Sequence, residues 1–326
     1  VRFTIFGAMA AMLVVALSIP QAFGDWALLF AVAYAVVRLA QIALFALASS
    51  EDPQLRHSLI IGLTWSTLVG AGLLVGAAFA DGPLQGALWA LALLIDLGGP
   101  LLFGVEGWRL EPGHFAERHG LIVIIALGES IVAIGIGVSG LPVSWPLITA
   151  AVLGVVVTAS LWWLYFDAVQ SKAEHRLTEL EGTTRTALAR DGYTYLHFPL
   201  IAGIVLTALG LKKIVEYVAD PTHALSDSLS GIPAWALTGG AGIYLLGSAA
   251  FALRTTGHRS VLRLLVGLVL LVALPVVEQL PALVALGALA VVLAALAGFE
   301  TRHRWGGDWA TSHAEQADPP QAASTR

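Results

Sequence analysis

The stretch Arg118-His-Gly-Leu-Ile-Val-Ile-Ile-Ala-Leu-Gly-Glu-Ser-Ile-Val-Ala-Ile-Gly-Ile-Gly-Val138 decides the fold. A basic residue stands at its start, and the apolar run is broken near its middle by Glu129 and Ser130. About 20 apolar residues in a helix cross a hydrocarbon core of about 30 Å. This stretch is therefore read as a membrane span with an acid buried at mid-depth.

The pattern repeats along the whole chain. Of its 326 residues, 57% are hydrophobic and 12% charged, with a mean hydropathy of +0.81. A soluble domain carries roughly 25% charged residues, so too little polar surface is left here to coat a globule in water. Ten helices are predicted, at about 3–21, 26–49, 58–80, 84–105, 118–138, 144–167, 193–217, 232–253, 261–279 and 282–299. Pro20, Pro83, Pro142, Pro233 and Pro281 fall at gaps or helix starts, where a missing N–H costs least. The run 261–299 is too long for one span, and Pro275 to Pro281 breaks it at a tight turn carrying Glu278. The expected fold is an all-α, polytopic transmembrane helix bundle. Its transmembrane domain covers 1–299, as six spans, a cytoplasmic loop at 168–192 and four spans. A disordered cytoplasmic tail follows at 300–326, rich in Ala, Pro, Gln and Ser.

The basic residues orient the bundle. If the gaps alternate between two sides, fourteen of the 17 Lys and Arg fall on the side of the N-terminus. Lys212 and Lys213 fall on the other, and Arg38 lies inside a span. The positive-inside rule then places both termini in the cytoplasm of a bacterial inner-membrane protein. Trp26, Trp108, Trp145, Trp235 and Trp305 stand near span ends, as in an aromatic belt. No cysteine is present, which excludes disulfides and thiolate metal sites. No removable signal peptide is expected, because the chain runs from Arg2 straight into a span without a small-residue cleavage site.

Soluble-type chemistry finds no support. Gly135-Ile-Gly-Val-Ser-Gly140 spells a dinucleotide-binding motif but ends a hydrophobic span instead of joining a strand to a helix. His114-Phe-Ala-Glu-Arg-His119 fits neither zinc-protease spacing. No catalytic residue, metal site or cofactor is expected, the chain is read as a non-enzyme, and nucleic acid is not expected as a partner. The expected partners are the lipid bilayer and an unidentified small solute or ion.

Ionizable residues inside spans carry the functional signal, since each costs about 2.5–3.5 kcal/mol at a helix centre on insertion scales and usually pairs or lines a cavity. Arg38, Asp96 and Glu129 fall near the same depth, and a group of one Arg and two carboxylates suits proton or cation coupling. The structural alternative is a buried ion pair that fixes helix packing. Transport predicts that the three face one interior cavity, and the reading fails if Glu129 instead faces lipid or packs into a dry seam. Toward the cytoplasmic face, Glu117, Arg118, His119, Tyr195 and His197 are candidates for a gate or proton approach, with a plain polar interface as the alternative.

The segment His114 to Val132 resembles the signature of the bacterial low temperature requirement A (LtrA) family. A second stretch, Tyr193-Thr-Tyr-Leu-His-Phe-Pro-Leu-Ile-Ala-Gly-Ile-Val205 with Gly210-Leu-Lys-Lys213, resembles it too, and Tyr244-Leu-Leu-Gly-Ser matches more weakly. The resemblance implies a multi-pass bacterial membrane protein linked by name to growth in the cold, and it maps family positions onto Glu117, Arg118, Glu129, Tyr195 and His197. Family members open with a Glu-Leu-Phe-Phe-Asp-Leu-Val-Phe-like segment and about two further spans, which this sequence lacks. The function expected is a proton- or cation-linked transporter or channel-like permease. The alternatives are a non-transporting regulator, sensor or structural protein and, third, an integral-membrane enzyme.

Overall fold

The computed structural model describes residues 2–48, 53–102, 108, 110–140 and 142–317. Within them the chain is helical and contains no strand. Arg109, the first inter-span gap at 49–52, the end of the fourth expected span at 103–105 and the tail residues 318–326 lie outside the described residues.

The chain divides into two compact units, Val1–Arg109 and Leu110–Arg326. The expected cytoplasmic loop at 168–192, between six spans and four, lies within the second unit. That polar segment is amphipathic: it buries Ala173, Leu177, Leu188 and Ala189 and docks on the rest of the second unit.

The first unit holds α1 (Arg2–Ser18), α2 (Ala27–Ala48), α3 (Pro53–Ala77) and α4 (Gly82–Leu102). A 3-10 turn at Ile19–Gln21 carries Pro20. Each helix packs on the next in sequence. Its small core gathers Phe30, Ala31, Leu74 and Ala92, with Trp89 stacked near Phe23 and Phe30. Phe3, Phe6, Met9, Leu13 and Leu17 on α1 stay exposed. Full burial of one such side chain from water contributes about 1.5–3 kcal/mol. A surface this apolar is suited to lipid.

The second unit holds α5 (Pro112–Gly137), α6 (Trp145–Tyr165), α7 (Ser171–Glu179), α8 (Gly182–Leu188), α9 (His197–Ala219), α10 (Ile232–Ala234), α11 (Gly240–Thr256), α12 (Val261–Val272), α13 (Leu274–Val277) and α14 (Ala282–Ala317). Three π-helical turns, Phe166–Gln170, Ala189–Leu196 and Trp235–Gly239, join α6 to α7, α8 to α9 and α10 to α11. Helix α5 starts six residues before the expected span. The Glu111 carboxylate accepts the His114 N–H at 2.6 Å and Pro112 occupies the first turn, two start signals that hydrophobicity does not register. The break predicted between Pro275 and Pro281 is present, and Glu278 in it accepts the Gly231 N–H at 3.2 Å. Helix α14 continues past Phe299, the expected end of the last span.

Helix α9 lies at the centre, packed by α5, α6, α11 and α14. Its crossing with α11 depends on glycine. A Cβ on Gly203 would stand 2.5 Å from the Tyr244 nitrogen, and one on Gly210 would stand 2.5 Å from the Leu237 nitrogen. Small residues at such positions let membrane helices approach backbone to backbone. Contacts at both ends fix direction. His119 meets His197 and Gly137 meets Lys212, so α5 and α9 run parallel. Gly203 meets Tyr244 and Gly210 meets Leu237, so α11 runs against them.

Eight helical segments are long and apolar enough to cross a membrane among the described residues. They are Phe3–Gln21, Ala27–Leu47, Gly82–Gly99, Pro112–Gly137, Trp145–Tyr165, Gly182–Ala219, Ile232–Thr256 and Ala282–His303. The other two expected spans correspond to shorter apolar helices, Thr64–Ala77 and Val261–Val272. At about 1.5 Å per residue, the latter rises only about 18 Å.

Candidate functional site

The second unit buries a cluster of imidazole and phenol rings at the start of α5 and α9. His197 sits where the π turn at 189–196 passes into α9, and the wider turn leaves the Gly192 carbonyl free for its side chain. His197 Nδ1 donates to that carbonyl at 3.2 Å, and its Nε2 accepts the Tyr165 hydroxyl at 2.8 Å. The tautomer follows, since only Nδ1 faces a pure acceptor. Tyr165 in turn ends α6 directly before the π turn at 166–170. π turns inside helices gather at functional sites, and two of them here flank one hydrogen bond.

His119 stands beside this pair, its ring centre 5.2 Å from that of His197. Its Nδ1 donates to the Phe115 carbonyl at 2.8 Å, which leaves Nε2 without a proton in the neutral ring. Tyr193 stacks on His197 at 5.3 Å and meets His119 at the same distance, while Phe251 closes the far side. Tyr165, Tyr193 and Phe251 are fully buried, and the Tyr193 hydroxyl has no hydrogen-bond partner. Outside the cluster, Glu111, Gly113, His114, Glu117, Gln170 and Glu174 line a shallow concavity of about 390 Å³. Gln170 also lies over Gly120, next to His119, and this connects the concavity with the ring cluster. The His114 backbone N–H holds the Glu111 carboxyl below the usual carboxylate range.

The residues expected on the cytoplasmic approach thus divide. His119 and His197 come together. Glu117 is exposed and faces His114 Nδ1 at 3.4 Å, and Arg118 is exposed on the same helix. Tyr195, half-buried on the π turn, lies in the field of Arg190 and Asp191.

Of the residues expected at the midplane, Arg38 and Asp96 pair within the first unit. In the first unit, Arg38 Nη2 donates to Asp96 Oδ1, and the Tyr34 hydroxyl donates to Asp96 Oδ2. Glu129 belongs to the second unit and is exposed in the middle of an apolar strip of α5, with Ile122, Ile125, Val132 and Ile136. The buried face of α5 is made instead by Val123, Ala126, Leu127, Ser130 and Ala133. Sequence spacing gave the depth of Glu129; in a helix apolar all round it does not give the facing.

Sequence reasoning missed the most deeply buried charge. Arg263, counted among the cytoplasmic basic residues, is 1% exposed. It donates through Nε and Nη2 to both Glu300 oxygens, through Nη2 to the Leu164 carbonyl at 2.9 Å, and through Nη1 to Ser248 Oγ at 3.3 Å. One side chain therefore joins α6, α11, α12 and α14. Asp191 similarly bridges Arg190 and Arg254, at 2.7 and 2.8 Å. Tyr34 and Tyr165 also went unread, because an aromatic at helical spacing looks the same as core packing. The one available signal for Arg263 was its place between Leu262 and Leu264; its partner lies 37 residues away.

No solved structure matches the chain. An uncharacterized protein of Rhizobium meliloti (strain 1021) is 32% identical over 227 residues, which cover 64% of this chain and 53% of the relative, so the match spans about half the relative's length. The model of the bacterial low temperature requirement A protein (LtrA) family matches residues 1–298, a range that holds the His119–His197 cluster and the Arg38–Asp96 pair. With its multiple apolar helices, this multi-pass membrane protein belongs to the bacterial low temperature requirement A (LtrA) family.

Proposed function

We propose that the protein is a proton-linked transporter or channel-like permease of the bacterial cytoplasmic membrane, with about ten spans and both termini inside. The observation that carries the reading is the pair of half-buried His119 and buried His197, 5.2 Å apart beside Tyr165 and Tyr193 and next to an acid-lined concavity. Imidazole is the side chain whose charge changes near physiological pH, and it passes protons between its two nitrogens. The tautomers drawn above leave His119 Nε2 without a proton, and His197 Nε2 accepts from the Tyr165 hydroxyl. A proton taken up at Glu117 or Glu174 has imidazole and phenol groups ahead of it for two helical turns.

The orientation is supported by the charges of the second unit. Asp167, Arg190, Asp191, Arg254, Arg263 and Glu300 gather at the end where α5 and α9 begin, and Lys212 and Lys213 stand at the other with Glu216. Counted by Lys and Arg alone, the first end holds Arg190, Arg254 and Arg263 against two lysines at the other, and it is assigned to the cytoplasm. Glu129, exposed on an apolar strip of α5, lends the transport reading no support and has no part in the proposed proton path.

One observation favours a second reading, a non-transporting membrane protein of regulatory or structural role. Both nitrogens of His197 already have partners, as in a packed core. Charge movement separates the two. The full-length protein, adsorbed in proteoliposomes on a solid-supported membrane, is given a rapid pH jump. Transport predicts a transient current that His197→Gln and Tyr165→Phe each reduce at least several-fold. Equal currents in wild type, variants and empty liposomes would remove the proton from the account.

A further inference from the structure

The first unit contains buried polar atoms that its own side chains leave unmatched. Arg38 donates through Nη2 to Asp96 and through Nη1 to Gln41 Oε1 at 3.1 Å, but its Nε is buried with no acceptor. A carboxylate opposite guanidinium ordinarily takes two parallel N–H bonds. Asp96 takes one, because its second oxygen is turned to the Tyr34 hydroxyl. That edge of Arg38 is half filled.

The facing helix adds two more open groups. The Thr64 and Thr67 hydroxyls of α3 are buried and unbonded, and Thr67 as a residue is 1% exposed. Thr67 lies one turn from Gly70, where a Cβ would stand only 3.9 Å from the Asp96 Cβ, so α3 passes close to the pair. Threonine in a helix has a ready acceptor in the carbonyl four residues back. Thr158, Thr207, Thr238 and Thr255 of the second unit all use it, at 2.7–3.0 Å. A buried donor left without a partner costs about 1–3 kcal/mol. These unmatched donors lie on helices packed beside the partly exposed Arg38–Asp96 pair, where each lowers stability until an acceptor reaches it.

Their chemistry selects the ligand. One guanidinium N–H and two hydroxyls offer donors, which suit an acceptor with two oxygens. The Arg38–Asp96 pair cancels its own charge, so an arriving anion leaves the site at −1 unless a proton follows. Among the described residues, the titratable or charged groups facing Asp96 are Tyr34 and Arg38, both from α2. The described side chains of α3, from Thr64 to Ala77, include no charged residue. Asp96 is thus the natural acceptor for that proton, and at 18% side-chain exposure it is reachable.

We infer that the seam between α2, α3 and α4 binds a small carboxylate on Arg38 Nε and the Thr64 and Thr67 hydroxyls, with a proton taken up on Asp96 as it binds. No covalent bond changes except at that proton. It arrives from water, rests on an Asp96 oxygen, and leaves when the carboxylate leaves, so that each cycle carries one anion and one proton. The site deepens the transport reading by naming its substrate class, yet its binding step is measurable without any flux.

The test is calorimetry of pyruvate binding to the full-length protein in lipid nanodiscs, in two buffers of different ionisation heat, with chloride as a second arm. Wild type is expected to bind pyruvate with uptake of one proton. Thr67→Val, which removes no existing hydrogen bond, is expected to weaken binding about 3- to 10-fold. Arg38→Gln is expected to weaken it more than tenfold, and Asp96→Asn to bind without proton uptake. Absence of pyruvate binding by the wild type would overturn the inference, as would equal binding by Thr67→Val, unchanged proton uptake by Asp96→Asn, or equal competition by chloride. Pyruvate binding without a pH-jump current would instead overturn the transport reading and leave this site standing.

Discussion

Two units of one chain treat buried polar groups in opposite ways. In the second, Arg263 is closed on Glu300, Leu164 and Ser248, and four buried or part-buried threonines are bonded to their own helices. In the first, among the described residues, Arg38 Nε, Thr64 and Thr67 are left open beside the Arg38–Asp96 pair, while Ser18 bonds its own helix. Saturation fixes helices, whereas open donors await a partner. The second unit departs from its own rule at Ser130 and at Tyr193, and Tyr193 lies in the proposed proton cluster. In this protein unmatched polar atoms are therefore a better guide to function than buried charge.

The largest effect should come from opening the saturated side. Glu300→Ala leaves Arg263 buried without its carboxylate, and breaking such a pair costs about 3–5 kcal/mol. Unfolding in detergent mixtures, followed by circular dichroism, should show a loss of that order, with a smaller loss for the double change Arg263→Met with Glu300→Leu. Equal losses would mean that the pair is no more than spacing. Next comes the α9–α11 crossing. Gly203→Val places atoms against the Tyr244 and Gly240 backbone, and the helices must separate at a cost of about 1–3 kcal/mol.

A matched pair of threonine changes sharpens the contrast directly. Thr207→Val removes a 2.8 Å bond to the Gly203 carbonyl and should destabilise by about 1 kcal/mol. Thr67→Val removes none and should be neutral or stabilising. If the two cost the same, the distinction between saturated and open units fails. The smallest effect concerns pH. The folded Glu111 carboxyl lies below its unfolded value because the His114 N–H bonds its charged form. Its capping contribution is then present above the unfolded carboxylate range and is lost as pH falls through the folded one. Amide exchange in the first turn of α5 should quicken over that acid range in the wild type and be insensitive to it in Glu111→Gln.

Much of the architecture was legible before any coordinates. Span length, proline positions and apolar composition located α5, α6, α9, α11 and the break near Pro275, because each follows from local chemistry. Burial logic alone singled out Arg38 and Asp96, which do pair. What escaped depends on facing or on distance along the chain. Glu129 falls within the expected helix, but a continuous apolar run fixes no azimuth. Arg263 was counted by its position in a gap, and only the folded chain brings Glu300 to it. The docking of 168–192 was hidden because a charged segment with an apolar stripe reads as solvated unless its stripe is matched to a partner.

The central claim is that this bundle moves a small carboxylate together with a proton. The most direct measurement is lumenal pH in proteoliposomes of the full-length protein carrying a trapped pH dye, after an inward pyruvate gradient is imposed. The account predicts pyruvate-driven acidification of the lumen by the wild type and by Thr207→Val, and none by Asp96→Asn. Acidification no faster than in protein-free liposomes, or undiminished in Asp96→Asn, would contradict it.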